Sequence, residues 1–304
     1  MHQPPDRSLH WQPGFPVDAK LTLKGLRRGP VDPTHRVEPD GTLWRTALTG
    51  SGPVTYRVRQ QRLDDLHIDA WGAGACELVD AVRIELGAGD RPDLFRPGHP
   101  VLEAAWRRMP GLRVPCTGRL FEAIVPAIIE QRVVGLDASA SFTRLVLAYG
   151  APAPGPAPAG MRVPPAPEVW WTIPSWEWRR AGVDLHRSRT VVEVARHAAQ
   201  LDRTAGDPVR AYELMARLPG IGAWTAAQVG HRALGDADAL PLGDYHLGRM
   251  TGMALLGRPL RDDEIEEFYE PFRPHRYRVV RLIELNPRLA PRRAPRAPLG
   301  RPLR

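Results

Sequence analysis

The chain has 304 residues, 43% of them hydrophobic, which is long enough for one large domain or two ordinary ones and excludes a single small module. Its 42 lysines and arginines exceed its 34 aspartates and glutamates, and the net charge of +8 favours a polyanionic partner, although an arginine-rich composition alone produces the same excess. The two cysteines, Cys76 and Cys116, are too few for a disulfide framework, a cysteine-rich zinc site or a four-cysteine iron–sulfur cluster.

Neither a signal peptide nor a membrane span is expected. Residues 1–16 contain Pro, His, Asp and Arg where a signal peptide needs an apolar run, and no later segment approaches the ~20 apolar residues of a membrane span. We therefore expect a soluble protein of the cytoplasm, a reducing compartment.

Antiparallel β-strands are predicted for the N-terminal part. Between Leu21 and about Leu63, short runs of Thr, Val, Leu and aromatic residues alternate with turn signals. Residues 54–59 alternate as a half-buried strand does, and Asp40-Gly41 has the composition of a tight hairpin turn. Helices are expected near Cys76–Leu86 and Pro100–Met109.

Helical periodicity replaces this pattern after Pro110-Gly111. Apolar residues from Phe121 to Leu136, including Val133, recur at helical spacing, and residues 142–149 continue the pattern into a second helix. Residues 151–167, almost entirely Ala, Pro and Gly, predict an exposed loop. Further helices are predicted around Val191–Leu201, Pro208–Arg217, Trp224–Leu234 and Tyr277–Leu285.

The predicted fold class is α+β. A small antiparallel β-rich domain (residues 1–109) precedes an all-helical domain (110–286). A basic tail rich in Pro and Arg (287–304) is expected to be disordered and to contact phosphates.

Residues 218–225, Leu-Pro-Gly-Ile-Gly-Ala-Trp-Thr, lie between two predicted helices. Pro219 and Gly220 end the first helix, and Gly222 is expected to adopt a backbone conformation closed to other residues. The first amides of the next helix then point outwards, where they and the helix dipole can bind a phosphate. An ordinary αα-hairpin with a Pro-Gly turn also fits these residues when they are taken alone.

This segment resembles the hairpin of the helix-hairpin-helix DNA glycosylase superfamily, in which Leu-Pro-Gly-Ile/Val-Gly, a helix and a Gly/Pro loop precede an aspartate, here Asp244. Trp224-Thr225-Ala226 makes the resemblance closest to the 3-methyladenine DNA glycosylase II group. Residues 127–133 and 272–276 extend it over most of the region 110–285, and the β-rich N-terminus is similar to that group's extra domain. The resemblance implies a helix-hairpin-helix glycosylase domain and a monofunctional enzyme of base excision repair, which flips an alkylated, 3-methyladenine-like purine out of duplex DNA and hydrolyses its N-glycosidic bond.

The resemblance makes Asp244 the catalytic residue. N-glycosidic cleavage develops positive charge on the sugar, which a nearby carboxylate stabilises while it orients or deprotonates the attacking water. Asp244 as the cap of a helix beginning at Tyr245 is a compatible interpretation.

Trp224 stands where bifunctional members of the superfamily carry a nucleophilic lysine. Without an amine to form a Schiff base, the resemblance implies attack by water and no lyase activity. Trp224 is expected to form a wall of the base pocket and to favour electron-poor alkylated purines, or to pack in the core on Leu218.

Further site residues follow from the resemblance. Gln131 is expected to hydrogen-bond the widowed base, and Arg132, where relatives use an apolar wedge, either fills the gap in the DNA, binds phosphate or faces solvent. Gln228 and Glu284 occupy pocket positions where an aromatic is common. Glu284 accepts hydrogen bonds from a base or pairs with Arg281 or Arg288.

DNA phosphates are expected at the amides of Gly220, Gly222 and Trp224, helped by Arg249 and Arg276. No cofactor is expected to be required. The family's hairpin binds Na⁺ or K⁺ through backbone carbonyls, here those of Ala216, Leu218 and Ile221. His231, His246 and His275 are interpreted as structural or phosphate-facing rather than as metal ligands.

The expected partner is double-stranded DNA containing damaged bases, bound by a monomer at the nucleoid without membrane association. Three alternatives remain open: a non-catalytic DNA-binding protein, a glycosylase for an oxidised or deaminated base, and a glycosylase fold without activity.

Overall fold

A five-stranded antiparallel sheet forms the N-terminal part of the computed structural model, which describes residues 3–286 and residue 289. Its order is β1-β5-β4-β3-β2, and its strands are β1 (Arg7–Trp11), β2 (His35–Val37), β3 (Leu43–Thr49), β4 (Gly52–Arg62) and β5 (Asp65–Trp71). The predicted antiparallel meander is confirmed, and Asp40-Gly41 turns between β2 and β3 as expected. Two elements differ from the prediction: β1 lies upstream of the expected strands, and the start of the expected meander is helical.

Helices make up most of the rest of the described chain. They are α1 (Ala19–Leu23), α2 (Ala75–Glu85), α3 (Pro100–Arg108), α4 (Leu120–Glu130), α5 (Gly135–Tyr149), α6 (Pro167–Thr172), α7 (Ser175–Ala181), α8 (Leu185–Arg196), α9 (Ala198–Asp202), α10 (Pro208–Arg217), α11 (Ala223–Val229), α12 (Leu247–Leu255), α13 (Ile265–Tyr269) and α14 (Arg276–Leu285). This α+β architecture is the predicted one.

Helix α4 is the centre of the helical part. It contacts α5, α8, α9 and α11, and its residues from Leu120 to Ile129 are buried all round except Glu122. The predicted helix running to Leu136 stops at Glu130 instead. Arg132 adopts a positive φ of 56°, which breaks the helix before α5 begins.

One apolar core joins two distant parts of the chain. Helix α3 and the segment after it, which include Leu102 and Leu112, pack with residues of α12, α13 and α14. The predicted boundary at residue 109 therefore does not separate the cores, because α3 belongs with the C-terminal helices rather than with the sheet.

The Ala/Pro/Gly-rich segment 151–167 is not the exposed loop that its composition predicts. It forms a short antiparallel pair, β6 (Ala151–Pro152) and β7 (Arg162–Val163), and buries Met161 against Trp44 and Trp71 of the sheet. Composition excluded a long element correctly but could not show that two tryptophans offer this segment an apolar surface.

Buried charges join the sheet to α4. The Glu85 carboxylate lies 2.5 Å from Arg45 and 2.9 Å from Arg119, and both arginines also contact Glu122 of α4. Burial alone would raise the pKa of Glu85, but the guanidiniums of Arg119 and Arg45 lower it overall. The carboxylate is therefore ionised inside the fold and fixes α4, which ends beside the hairpin, relative to the sheet.

None of the helices in the described part of the chain has both the length and the apolarity that crossing a bilayer requires. The prediction of a disordered basic tail from 287 to 304 falls, apart from Leu289, outside the described residues.

Candidate active site

Helices α10 and α11 form a tight hairpin. Gly220 has a φ of +83°, and a Cβ added there would lie 2.7 Å from the Oγ1 of Thr190, so both the turn and the close approach of α8 require glycine. The expectation for Gly222 is wrong, because its φ of −97° and ψ of 179° are ordinary extended values.

The start of α11 is open. Among the described residues no side chain caps it, Gly222 and Ala223 are exposed, and a Cβ at Gly222 would meet nothing within 4 Å. The first-turn amides are therefore accessible to an anion, as the hairpin motif predicts.

Gln131, which follows α4, is bonded to the hairpin. Its Nε2 donates to the backbone oxygen of Gly220 and to the Oγ1 of Thr225, both at 2.9 Å. The side-chain amide thus uses its donors to fix the hairpin, which leaves only the carbonyl oxygen for the predicted contact with a widowed base.

Two hydrogen bonds orient the half-buried carboxylate of Asp244. Its Oδ2 accepts from the indole Nε1–H of Trp224 at 3.1 Å, and its Oδ1 accepts from the backbone N–H of His246 at 2.8 Å. Helix α12 begins at Leu247 rather than at Tyr245, so Asp244 fixes the turn before the helix and is not its N-cap residue. The carboxylate is rigid and still partly open to solvent.

Trp224 is half-buried, and its N–H points to Asp244. It therefore connects the hairpin to the carboxylate, and the alternative of a tryptophan wholly enclosed in the core does not hold. Gln228, one turn further along α11, is buried, and its side-chain and backbone oxygens both accept from Arg232.

Next to Gln228 lies the positively charged side chain of Arg232. Arg232 also donates to the backbone oxygen of Gly25 at 3.0 Å, and burial together with neighbouring Arg28 lowers its pKa to about 10. His231 stacks on Tyr277 with 3.7 Å between ring centroids, which gives this histidine a packing role.

Glu284 forms a surface ion pair. Its Oε2 accepts from Arg281 at 2.7 Å, and its side chain is 41% exposed. Of the two partners considered from the sequence, Arg281 is therefore the one observed, whereas Arg288 lies outside the described residues.

The loop after α4 and the first turn of α5 present apolar side chains to solvent. Arg132 is exposed, and Val133, Val134 and Leu136 are 37%, 58% and 70% exposed. Sequence reasoning placed Val133 and Leu136 on a buried helix face and so missed this tip. The Val-Val-Gly run at 133–135, unfavourable in a helix, was the signal that could have revealed it.

The two candidate phosphate-binding arginines differ. Arg249 is exposed on α12. Arg276 is 9% exposed, and its guanidinium is bonded to the carboxylate of Asp238 at 2.9 and 2.8 Å. The prediction of a phosphate contact by Arg276 conflicts with this geometry, because the side chain serves to attach α14 to the loop before α12.

The three backbone carbonyls considered for a monovalent cation lie at the end of α10 and in the hairpin turn. The carbonyl of Leu218 accepts a hydrogen bond from the N–H of Ile221 at 3.2 Å, and Ala216 lies in the last turn of α10. Neutral carbonyl oxygens are hard ligands, and each has a second lone pair, so this donor set fits an alkali cation.

No protein-family model matches the chain. The fold is similar to that of a 3-methyladenine DNA glycosylase from Archaeoglobus fulgidus, with a TM-score of 0.74 and 19% identity over 92% of this chain and 97% of that one. In sequence, the chain is 33% identical over 227 residues to a probable bifunctional transcriptional activator/DNA repair enzyme AlkA of Mycobacterium tuberculosis. The chain therefore shares its fold with a solved DNA glycosylase and is related in sequence, over 73% of its own length, to the mycobacterial protein.

The match to the mycobacterial protein covers 73% of this chain and 41% of the relative, so the chain spans about two fifths of the length of the curated relatives it matches. The fold is also similar to that of an 8-oxoguanine glycosylase/lyase from Clostridium acetobutylicum, solved with double-stranded DNA. That structure gives a TM-score of 0.68 at 11% identity over 93% of this chain and 96% of the other.

Proposed function

We propose that this chain is a monofunctional DNA glycosylase that flips an alkylated, 3-methyladenine-like purine out of duplex DNA and hydrolyses its N-glycosidic bond. The observation that carries the proposal is the Asp244 carboxylate, held by the Trp224 indole beside an uncapped helix N-terminus. A DNA-binding module needs the helix start, but it has no need of an oriented carboxylate next to it.

Asp244 supplies the chemistry. As the glycosidic bond breaks, positive charge develops on the deoxyribose, and a fixed carboxylate stabilises that charge without having to reorganise. Because hydrogen bonds from Trp224 and His246 already hold both of its oxygens, the group is pre-oriented toward one position. A water molecule is the nucleophile, since Trp224 stands where a lyase needs an amine. We therefore expect base release without strand cleavage.

DNA is bound by the hairpin and by the loop after α4. The open amides of α11 take a phosphate with the help of exposed Arg249, and a monovalent cation at the carbonyls of Ala216, Leu218 and Ile221 would stiffen the turn. The exposed apolar tip beginning at Val133 enters the duplex next to Arg132 and fills the space that the flipped base leaves.

The base stacks on Trp224, whose electron-rich face attracts a positively charged alkylated purine. Gln228, bonded to Arg232, and Glu284, paired with Arg281, are the polar groups that we assign to the rest of the base pocket. The proposed partner is damaged chromosomal DNA. We expect the enzyme to act on it as a monomer, at the nucleoid.

The test measures base release from duplex DNA treated with a methylating agent. Wild-type protein is compared with Asp244→Asn, and Asp207→Asn serves as the matched control, because Asp207 also accepts a backbone N–H but caps the remote end of α10. Asparagine keeps one acceptor oxygen, so it can retain the single bond that Asp207 accepts, whereas at Asp244 it removes the negative charge and one of the two accepted hydrogen bonds.

We expect Asp244→Asn to slow release by about 10²–10³-fold, as when one electrostatic transition-state contact is removed, and Asp207→Asn to leave it unchanged. Release of methylated purines with no strand nicking before alkali supports the proposal. Intact DNA binding without release by wild-type protein would refute the proposal and favour a DNA-binding module or another lesion.

A further inference from the structure

Two histidines and an aspartate meet on the outer face of the N-terminal sheet, away from the hairpin. His10 of edge strand β1 pairs directly with His67 of β5, and Asp65 precedes His67 by two residues on the same face. The flanking Leu66 and Ile68 point to the opposite face, into the core of the sheet. The three polar groups are therefore brought together by strand register.

The ligand atoms of the cluster are close to one another. The Asp65 Oδ1 lies 2.8 Å from the Nε2 of His10 and 3.7 Å from the Nε2 of His67. The two imidazoles are nearly parallel, with 4.2 Å between centroids and 6° between ring planes. One ligand atom from each of the three residues lies within 4.8 Å of the other two. Within residues 3–286 and 289, no other group of three or more His, Cys, Asp or Glu side chains comes as close together.

These separations match what a tetrahedral metal requires. Zinc bonds of about 2.0–2.1 Å to nitrogen and oxygen place neighbouring ligand atoms roughly 3.3–3.4 Å apart, and the two observed distances lie on either side of that value. Small rotations of exposed side chains close the difference, since His10 is 49% and His67 38% exposed.

The surrounding charges permit a cation. Arg59 stands opposite His67 on β4, but its guanidinium, like that of Arg57, is bonded to the carboxylate of Asp69 at 2.9 Å. Both imidazoles face one oxygen of the Asp65 carboxylate, whose negative charge favours a cation between the three groups.

We propose that His10, Asp65 and His67 bind a divalent transition-metal ion of the Zn²⁺ class, with solvent completing the coordination. Two imidazoles and one carboxylate suit Zn²⁺, Ni²⁺ or Cu²⁺ rather than Mg²⁺ or Ca²⁺, which prefer all-oxygen sites. The ion ties edge strand β1 to β5 and so attaches the N-terminal segment to the sheet. This role is independent of base removal.

The experiment titrates tag-free, chelator-treated protein with ZnCl₂ in a calorimeter at pH 7.5 and follows the melting temperature in parallel. We expect one saturable site, a higher melting temperature with Zn²⁺ than with Mg²⁺, and at least tenfold weaker Zn²⁺ binding in His10→Ala and in His67→Ala. His186→Ala, which removes an exposed histidine of α8, is the matched control and should bind as wild type does.

Absence of saturable binding, or binding that both His10→Ala and His67→Ala retain at wild-type strength, overturns the proposal. Circular dichroism of each variant serves as the control for folding. Base release measured on the same variants should be unchanged with and without Zn²⁺, and a loss of release on removing Zn²⁺ would contradict the structural role assigned to the ion.

Discussion

Replacing Trp224 with Phe removes one of the two hydrogen bonds that orient the Asp244 carboxylate and leaves an aromatic ring in place. A hydrogen bond to a charged group contributes about 1.5–3 kcal/mol. Because the N–H of His246 still holds Oδ1 at 2.8 Å, we take the lower half of that range, which corresponds to roughly 10–40-fold in rate. The indole N–H thus acts as a positioning group for the carboxylate.

The assay is base release in single turnover with saturating Trp224→Phe enzyme, so that the rate constant is separated from DNA affinity. Affinity should change little, because an aromatic ring remains at the proposed stacking position. Trp176→Phe, which alters an exposed tryptophan of α7, is the control and should behave as wild type. In the Asp244→Asn background the same Trp224 substitution should have little further effect, since there is no carboxylate left to orient. A wild-type rate in Trp224→Phe, or equal effects in both backgrounds, would refute this reasoning.

The carboxylates of Glu85 and Asp202 give opposite pH dependences of stability, measured by chemical denaturation. Glu85→Ala leaves the buried guanidiniums of Arg45 and Arg119 with Glu122 as their shared carboxylate and should cost about 3 kcal/mol, the lower end for a broken buried pair. The folded pKa of Glu85 is lowered, so its contribution to stability is present above the unfolded pKa of about 4.3 and is lost as the pH falls through the folded pKa. The stability of Glu85→Ala should therefore fall less in acid than that of the wild type. Equal acid sensitivity would contradict the ion pairing. Desolvation raises the pKa of Asp202 to about 6, so the stability that this group contributes is fully present below about pH 4 and is lost as the pH rises to about 6. Because Asp202 is exposed and solvent screens its charge, Asp202→Asn should stabilise the protein only slightly above pH 6 while it flattens the profile between pH 4 and 6. A loss of stability at pH 7.5 would show that the charged hydrogen bond to the Phe121 amide outweighs the desolvation.

Local rules identified the parts of the site that lie close together in sequence. The hairpin was predictable because Pro219 and Gly220 determine the backbone conformation at their own positions. They also end helix α10, which has the predicted bounds. The partnership of Trp224 with Asp244 could be expected only through the family spacing, because twenty intervening residues leave the distance between the two side chains undetermined by any local rule.

Tertiary contacts decided the rest. Arg276 carries the same charge as Arg249, and only the position of Asp238 after folding makes one of them buried and paired while the other faces solvent. The end of α4 was missed because apolar spacing continues through Val133, although the backbone breaks at Arg132. Periodicity records which residues are apolar, and it does not record where the chain turns.

The core shared by α3 and the C-terminal helices has a consequence for the order in which the chain folds. All of α4 to α11 is synthesised between the two halves of that core, so α3 leaves the ribosome long before the helices that cover it. Until those helices are synthesised, the apolar face of α3 is exposed to solvent or packs against other surfaces. Exposed apolar surface favours chaperone binding. The helical part of the chain therefore reaches its final packing only near the end of translation, and expressing it alone from residue 110 would omit one wall of its core.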